Sequence, residues 1–379
     1  MLSTFKTVPL EYAPDKQLHY NEAFLEPYCR ELLDLLEGED YMQSLSFAKR
    51  MMMSQEIKSN NNIEGITDDL SVIDEVIKSK VAIPTEERQR IINLYHGYEY
   101  ILKHSDINKE SLRELYSILS SGLLNSYDRT YMGEYYRTRK VHILKGIHIG
   151  DDMFEGMPAD KIEDYMSQYF AYINDDSQET EMSAFLKSQI MHFYFVYIHP
   201  YFDINGRTSR TMAMWYLLNN KSYPYIIFNQ AIAFAKQDYE KAIICGRSHG
   251  DISLFLRYMV THVELELEKE HVLHSIEQNS TESLSKEDLQ MLNYLLTMKS
   301  NPTAKDLATF YNSCNPPRKP AIVLQEKIAP LLEKGVVLNK GTTKGFIIDG
   351  VPNMHLGINR DLISVEPVKV KHLSLDRCI

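Results

Sequence analysis

Four cysteines in 379 residues, Cys29, Cys245, Cys314 and Cys378, lie far apart and never form a Cys-x-x-Cys pair. That scarcity argues against a disulfide framework or a zinc cage and for free thiols in a reducing, cytoplasmic setting. No run of 18 apolar residues occurs, so no membrane span is expected. The opening "MLSTFKTVPLEYAPDK" lacks the basic start and apolar core of a secretory signal. Missing too are the Gly-x4-Gly-Lys-Ser/Thr phosphate loop, the Gly-x-Gly-x-x-Gly dinucleotide turn and the His-Glu-x-x-His zinc helix. A net charge of -11 excludes a generic polyanion binder.

What is present is mostly helical pattern. "NEAFLEPYCRELLDLLEG" follows an extended, Pro-containing start, and helical propensity continues through "YMQSLSFAKRMMMSQEIKSNNNIEG", with Met51–Met53 as core filling. "TEERQRIINLYHGYEYILK" and "NKESLRELYSILSSGL" predict two helices, the second N-capped by Asn108 and closing near Gly122. Alternation at Val141, Ile143, Ile147 and Ile149 around Lys145-Gly146 predicts a small hairpin over about 137–149. A strongly apolar helix, "EMSAFLKSQIMHFYFVYI", leads into "HPYFDINGRTSR", His199 to Arg210, and "TSRTMAMWYLLNN" is the helix leaving it. Helical stretches follow over roughly 236–246 and 251–275, and a polar, Ser-rich boundary near 276–286.

The tail reads as three helices, with Pro330 in the third as a candidate kink, followed by a hairpin folded within "VVLNKGTTKGFIID". That order resembles a winged helix-turn-helix. Residues 285–350 hold nine Lys/Arg against six Asp/Glu, which permits DNA contact without establishing it.

The chemistry concentrates in the twelve-residue stretch. Its outgoing helix starts near Asn205-Gly206 and aims its first N–H groups into the loop, an arrangement that attracts phosphate. Arg207 and Arg210, three apart, can serve the same anion. Asp203 beside phosphate makes sense if Mg²⁺ lies between them, and His199 suits a general base. Together these parts predict phosphate-centred transfer from a nucleotide to a hydroxyl.

The ordered combination resembles the signature of the Fic family, His-Pro-Phe-x-Asp/Glu-Gly-Asn-Gly-Arg-x-x-Arg. Tyr201 stands for its Phe and Ile204 for its first Gly; the other defined positions agree. The resemblance covers about 40–270. It implies a mainly α fold: a Fic-type bundle with a hairpin flap, followed by a winged helix. The domains expected are 1–110 (N-terminal helical region), 111–275 (catalytic core), 286–350 (winged helix) and 351–379 (tail).

It also implies protein adenylylation. His199 would take the proton of a target Ser, Thr or Tyr hydroxyl, which attacks the α-phosphate of ATP. Asp203 would hold Mg²⁺. Asn205, with the amides of Gly206 and Arg207, would cradle the α-phosphate, and Arg207 and Arg210 would steady the outer phosphates. Thr208 and Tyr239 are further nucleotide candidates, Tyr239 being as readily a core aromatic, and His192 is read as core. The flap would line up the target segment as an added strand.

Ahead of the core, "KSNNNIEGI" is similar to the family's inhibitory motif, with Glu64-Gly65 in place and Asn60 for its Ser/Thr. Glu64 would pair with Arg210 and deny it to the γ-phosphate; about 3 kcal/mol of preference gives roughly a hundredfold suppression. A nucleotide-sensing transcriptional regulator, a de-adenylylating activity and phosphate binding without chemistry stay open, as does a homodimer. For Ile204, a β-branched side chain predicts ordinary negative φ.

Overall fold

The computed structural model describes residues 5–36, 54, 56–66, 70–78, 85–143, 154–175, 181–219, 228–297, 304–314, 318–348 and 351–362. Met51–Met53, the Lys145-Gly146 turn with Ile147 and Ile149, and the tail beyond 362 fall outside them. Two compact units form: one from residues 1–34, 75–264 and 371–379, the other from 35–74 and 265–370. No helix among the described residues is long and apolar enough to cross a membrane. Cys29 and Cys245 form no disulfide among the described residues.

In the first unit the extended start is a hairpin, β1 (Phe5–Ala13) against β2 (Lys16–Asn21), which the sequence reading did not separate into strands. Its turn uses Asp15 at φ 60°, a left-handed position that Asp tolerates better than most side chains. Helix α1 (Glu22–Leu36) follows directly. Helix α4 (Glu86–Lys103) starts where Thr85 accepts the Arg88 N–H, and α5 (Lys109–Ser120) starts on a reciprocal Asn108–Ser111 capping box. Helix α5 stops short of Gly122, whose φ of 71° suits the turn out of it. A short α6 (Ser126–Tyr131) buries no residue.

Strands β3 (His142–Ile143) and β4 (Phe154–Glu155) pair antiparallel where the flap is expected, Ile143 against Phe154, while the Lys145-Gly146 turn and Ile147–Ile149 of the predicted hairpin lie outside the described residues. Helix α7 (Ile162–Ile173) packs beside α8 (Glu181–Ile198). Apolar on nearly every face, α8 is central; Phe185, Met191, Tyr194 and Phe195 are fully buried. Helix α9 (Asn205–Asn219) folds back on α8 and also meets α4 and α5. Its Trp215 is fully buried and donates its indole N–H to the His104 carbonyl at 2.6 Å. Helices α10 (Phe228–Phe234) and α11 (Lys236–His249) lead to α12 (Ser253–Asn279), along which the two units divide after Glu264.

In the second unit, residues 56–63 form α2, and α3 (Leu70–Lys78) begins here and ends in the first unit. The later part of α12 is followed by α13 (Lys286–Thr297), α14 (Ala304–Cys314), α15 (Pro320–Val323) and α16 (Ala329–Glu333). A π turn, Leu324–Ile328, joins the last two, with the Ala329 N–H on the Leu324 carbonyl. Pro330 follows it: proline has no N–H to donate, and the widened turn makes room for its ring. One core gathers Ile276, Leu292, Leu307, Val323, Leu331, Val336 and Leu356. The predicted tail hairpin is also corrected. Residues Val337–Ile348 are one strand, β5, paired antiparallel with β6 (Val351–Ile358), so the Lys/Gly/Thr stretch lies inside a strand.

Candidate active site

The stretch His199–Ile204 joins α8 to α9 by a turn that inverts the chain. Both its ends are left-handed: His199 has φ 56° and Ile204 φ 66°. The latter overturns the expectation of ordinary dihedrals. The reason is over-determination. The Ile204 side chain is buried, its N–H is held by Asp203 Oδ1 at 2.6 Å, and its carbonyl accepts both the Thr208 N–H (2.9 Å) and the Thr208 hydroxyl (2.8 Å). Those contacts offset a strain of about 1–3 kcal/mol.

His199 is half-buried. Its Nδ1 lies 3.3 Å from the Val196 carbonyl, which can only accept, so Nδ1 carries the proton and the lone pair of the neutral ring sits on Nε2. That is the tautomer a base requires. Asn205 braces the loop with both ends of its amide: Oδ1 accepts the Tyr201 N–H at 3.0 Å and Nδ2 donates to the Tyr201 carbonyl at 2.9 Å. The sequence reading gave this amide to the α-phosphate; here it is engaged by the loop. Thr208 likewise turns its hydroxyl onto Ile204.

Arg207 and Arg210 are buried on the first turns of α9, and Gly206 is half-buried between loop and helix. The loop therefore runs from His199 into the N-terminus of a fifteen-residue helix that carries both arginines in its first two turns. Asp203 is exposed on the loop. Its charge, after burial, pushes up the Asp128 carboxyl. Among the described residues no three His, Cys, Asp or Glu side chains cluster as a metal cage. The donor set fits Mg²⁺ in one way only: a single carboxylate completing a shell made mostly of phosphate oxygens and water.

Tyr201 keeps the aromatic anchor. It is fully buried and stacks on Tyr116 with ring centroids 3.5 Å apart, and its hydroxyl has no partner among the described residues. Tyr239 is a core aromatic, packed with Phe255 and Tyr258, its hydroxyl 2.9 Å from His192 Nε2. Burial first and Arg210 second hold the His192 ring neutral, its pKa down to about 3. Glu64 lies in the second unit, exposed on the turn that closes α2, where its N–H meets the Asn61 carbonyl and Gly65 takes φ 81°.

Sequence reasoning missed Arg137. It is 2% exposed and donates Nε to the His199 carbonyl at 2.9 Å, with its other nitrogens on the carbonyls of Arg139 and Met157, each at 2.6 Å. Arg247, from α11, adds a second tie, donating to the carbonyls of Tyr197 and Glu155. Nothing in "RTRK" singles out one base of three; only the fold brings Arg137 to the motif.

Residues 106–217, spanning α5, the flap, α7, α8, the loop and α9, match the model of the Fic/DOC family. Two curated proteins, each called protein adenylyltransferase Fic, are similar to this chain. The one from Culex quinquefasciatus is 27% identical over 229 residues, 59% of this chain and 43% of that protein. The one from Aedes aegypti is 26% identical over 60% of this chain and 44% of its own length. The chain thus spans less than half the length of these relatives. Among solved structures, a Fic family protein from Desulfovibrio desulfuricans G20 superposes with a TM-score of 0.54 at 18% identity, covering 83% of this chain and 91% of that one. Fic-1 of C. elegans gives 0.51 at 18% identity, over 65% of this chain and 72% of that one. At this identity the likeness is one of fold, and the matched residues 106–217 include the His199 loop.

Proposed function

We propose that the Fic domain of this chain is a protein adenylyltransferase. One observation carries the reading: His199 is anchored through Nδ1, leaving Nε2 as base, on a loop that opens straight into the α9 N-terminus and its two arginines. In the proposed step the oxygen of a target Ser, Thr or Tyr hydroxyl attacks the α-phosphorus of ATP. Its proton passes to His199 Nε2. The bond to the bridging oxygen breaks, pyrophosphate leaves, and the target keeps an AMP ester.

The first-turn N–H groups of α9, at Gly206 and Arg207, would bind the α-phosphate, and Arg207 and Arg210 the outer phosphates. Asn205 and Thr208 act by holding the loop in shape. Asp203 would hold Mg²⁺, which when bound neutralises phosphate charge. Tyr239, one layer below, would support the pocket through His192. The names of the Culex and Aedes proteins support the activity.

Restraint by Glu64, pairing with Arg210, is part of the proposal and rests on the Glu64-Gly65 motif. The second unit we read as a winged helix in a protein-facing role. Three cations on or beside its third helix are already paired, Lys327 with Glu287, Lys334 with Asp288 and Arg318 with Glu326, which weighs against DNA contact and the regulator reading.

Incubation with Mg-ATP labelled on the α-phosphate, followed by mass spectrometry for an added AMP, is the test. The wild-type chain should label weakly, Glu64→Gly strongly and His199→Ala not at all. Labelling that survives His199→Ala, or none from Glu64→Gly although nucleotide binds, overturns the proposal.

A further inference from the structure

Arg137 is a buried cation that makes no ion pair among the described residues. Burial alone lowers its pKa to about 10. A guanidinium placed so, surrounded by carbonyls rather than a carboxylate, is costly unless its geometry serves a purpose. Its contacts show what it joins. The backbone N–H donates to the Pro200 carbonyl at 3.0 Å and Nε to the His199 carbonyl at 2.9 Å, so two consecutive peptide groups of the motif loop are fixed by one residue. One terminal nitrogen reaches the Arg139 carbonyl on the way into the flap, the other the Met157 carbonyl on the way out, both at 2.6 Å.

The junction is tight. The Met157 N–H donates to the Ile198 carbonyl at 3.1 Å, and the Gly156 N–H to Val141 at 3.1 Å. A Cβ on Gly156 would lie 2.6 Å from Arg137 Nη2 and 3.2 Å from His199 Cβ. Only a glycine lets the returning flap strand pass between them.

We infer that Arg137 is a positioning residue that locks the flap and the left-handed His199 turn into one rigid piece, so that the segment presented on the flap arrives in register with the base. The inference rests on the adenylyltransferase reading and adds to it a residue that touches neither nucleotide nor target. It separates two functions of the site. Nucleotide binding uses α9, which Arg137 does not contact in any of these bonds. Transfer needs the hydroxyl aligned with Nε2, which Arg137 fixes from behind.

The test uses the full chain and Arg137→Lys, which keeps the charge and the stem but cannot form the three-way fork. Affinity for Mg-ATP should stay within about twofold of wild type, while the rate of AMP transfer at saturating ATP falls at least fiftyfold. Amide hydrogen exchange should accelerate tenfold or more in residues 154–157 and 199–203 together, with α7 unchanged. Should Arg137→Lys not fold, Gly156→Ala, which deletes no hydrogen-bonding group but crowds the same junction, carries the same expectations. Unchanged transfer, nucleotide affinity lost in proportion to rate, or loosening of only one segment would overturn the inference. Absence of transfer from the wild-type chain overturns the adenylyltransferase reading instead, and the exchange experiment still decides whether Arg137 couples flap and loop.

Discussion

Ile204 gives the sharpest prediction, because here two ordinary rules oppose each other. At most buried sites alanine is better tolerated than glycine, by roughly 0.5–1 kcal/mol, since glycine loses more backbone freedom on folding. At Ile204 φ is 66°, where any Cβ crowds the following carbonyl at a cost of about 1–2 kcal/mol. Both Ile204→Ala and Ile204→Gly give up a side chain that is 3% exposed, for roughly 2–4 kcal/mol. Only the glycine variant is released from the strain. The order should therefore invert, with Ile204→Gly more stable than Ile204→Ala by about 1 kcal/mol, although each is less stable than wild type. In urea titrations this appears as a higher midpoint at unchanged slope. In thermal melts of a unit this size it appears as roughly 2–4 °C. Equal stability, or an alanine variant above the glycine variant, would mean that the turn is not left-handed at this position.

Asn205→Asp keeps the acceptor for the Tyr201 N–H but turns a carboxylate oxygen toward the Tyr201 carbonyl, so it should cost about 2–4 kcal/mol in denaturant titration; a loss under about 1 kcal/mol would show that the amide is no brace. Tyr201→Phe removes a buried hydroxyl without a protein partner, and its melting temperature should match or exceed wild type; a clear drop would reveal a partner for that hydroxyl. In the second unit, burial and Glu266 raise the Glu270 carboxyl to about 7. A raised acid contributes stability below its ordinary pKa and loses it as pH climbs toward the raised value. Glu270→Gln should thus gain roughly 1–2 kcal/mol over wild type at pH 8, after allowance for its partial exposure, and nothing near pH 4.5. A gain equal at both pH values would remove Glu270 as the cause.

Much of this was legible in the chain because the signals were local. The Asn108 cap, the boundaries of α4 and α5, and the start of α9 at Asn205 follow from side chains that bond within a turn of themselves. The candidate site's residues were legible for the same reason: His199, Asp203, Arg207 and Arg210 occupy one loop and the first turns of one helix. What escaped was set by distant partners. The flap strand at Phe154 follows no alternation that the stretch 137–149 could display. Arg137 acts on His199 from 62 residues away. The left-handed turn at Ile204 depends on Thr208, Asp203 and burial acting together, against the preference of the residue itself. The β5–β6 pairing escaped because its lysines and glycines looked like a turn and lie inside a strand.

The chain has one tryptophan, and it sits on the helix that leaves the motif, sealed from solvent with its indole N–H on the His104 carbonyl. Intrinsic emission excited at the red edge of protein absorption therefore comes from a single place. If nucleotide binds as proposed, titrating it into the unlabelled chain while watching that glow would report on the motif helix with no dye, tag or added reporter.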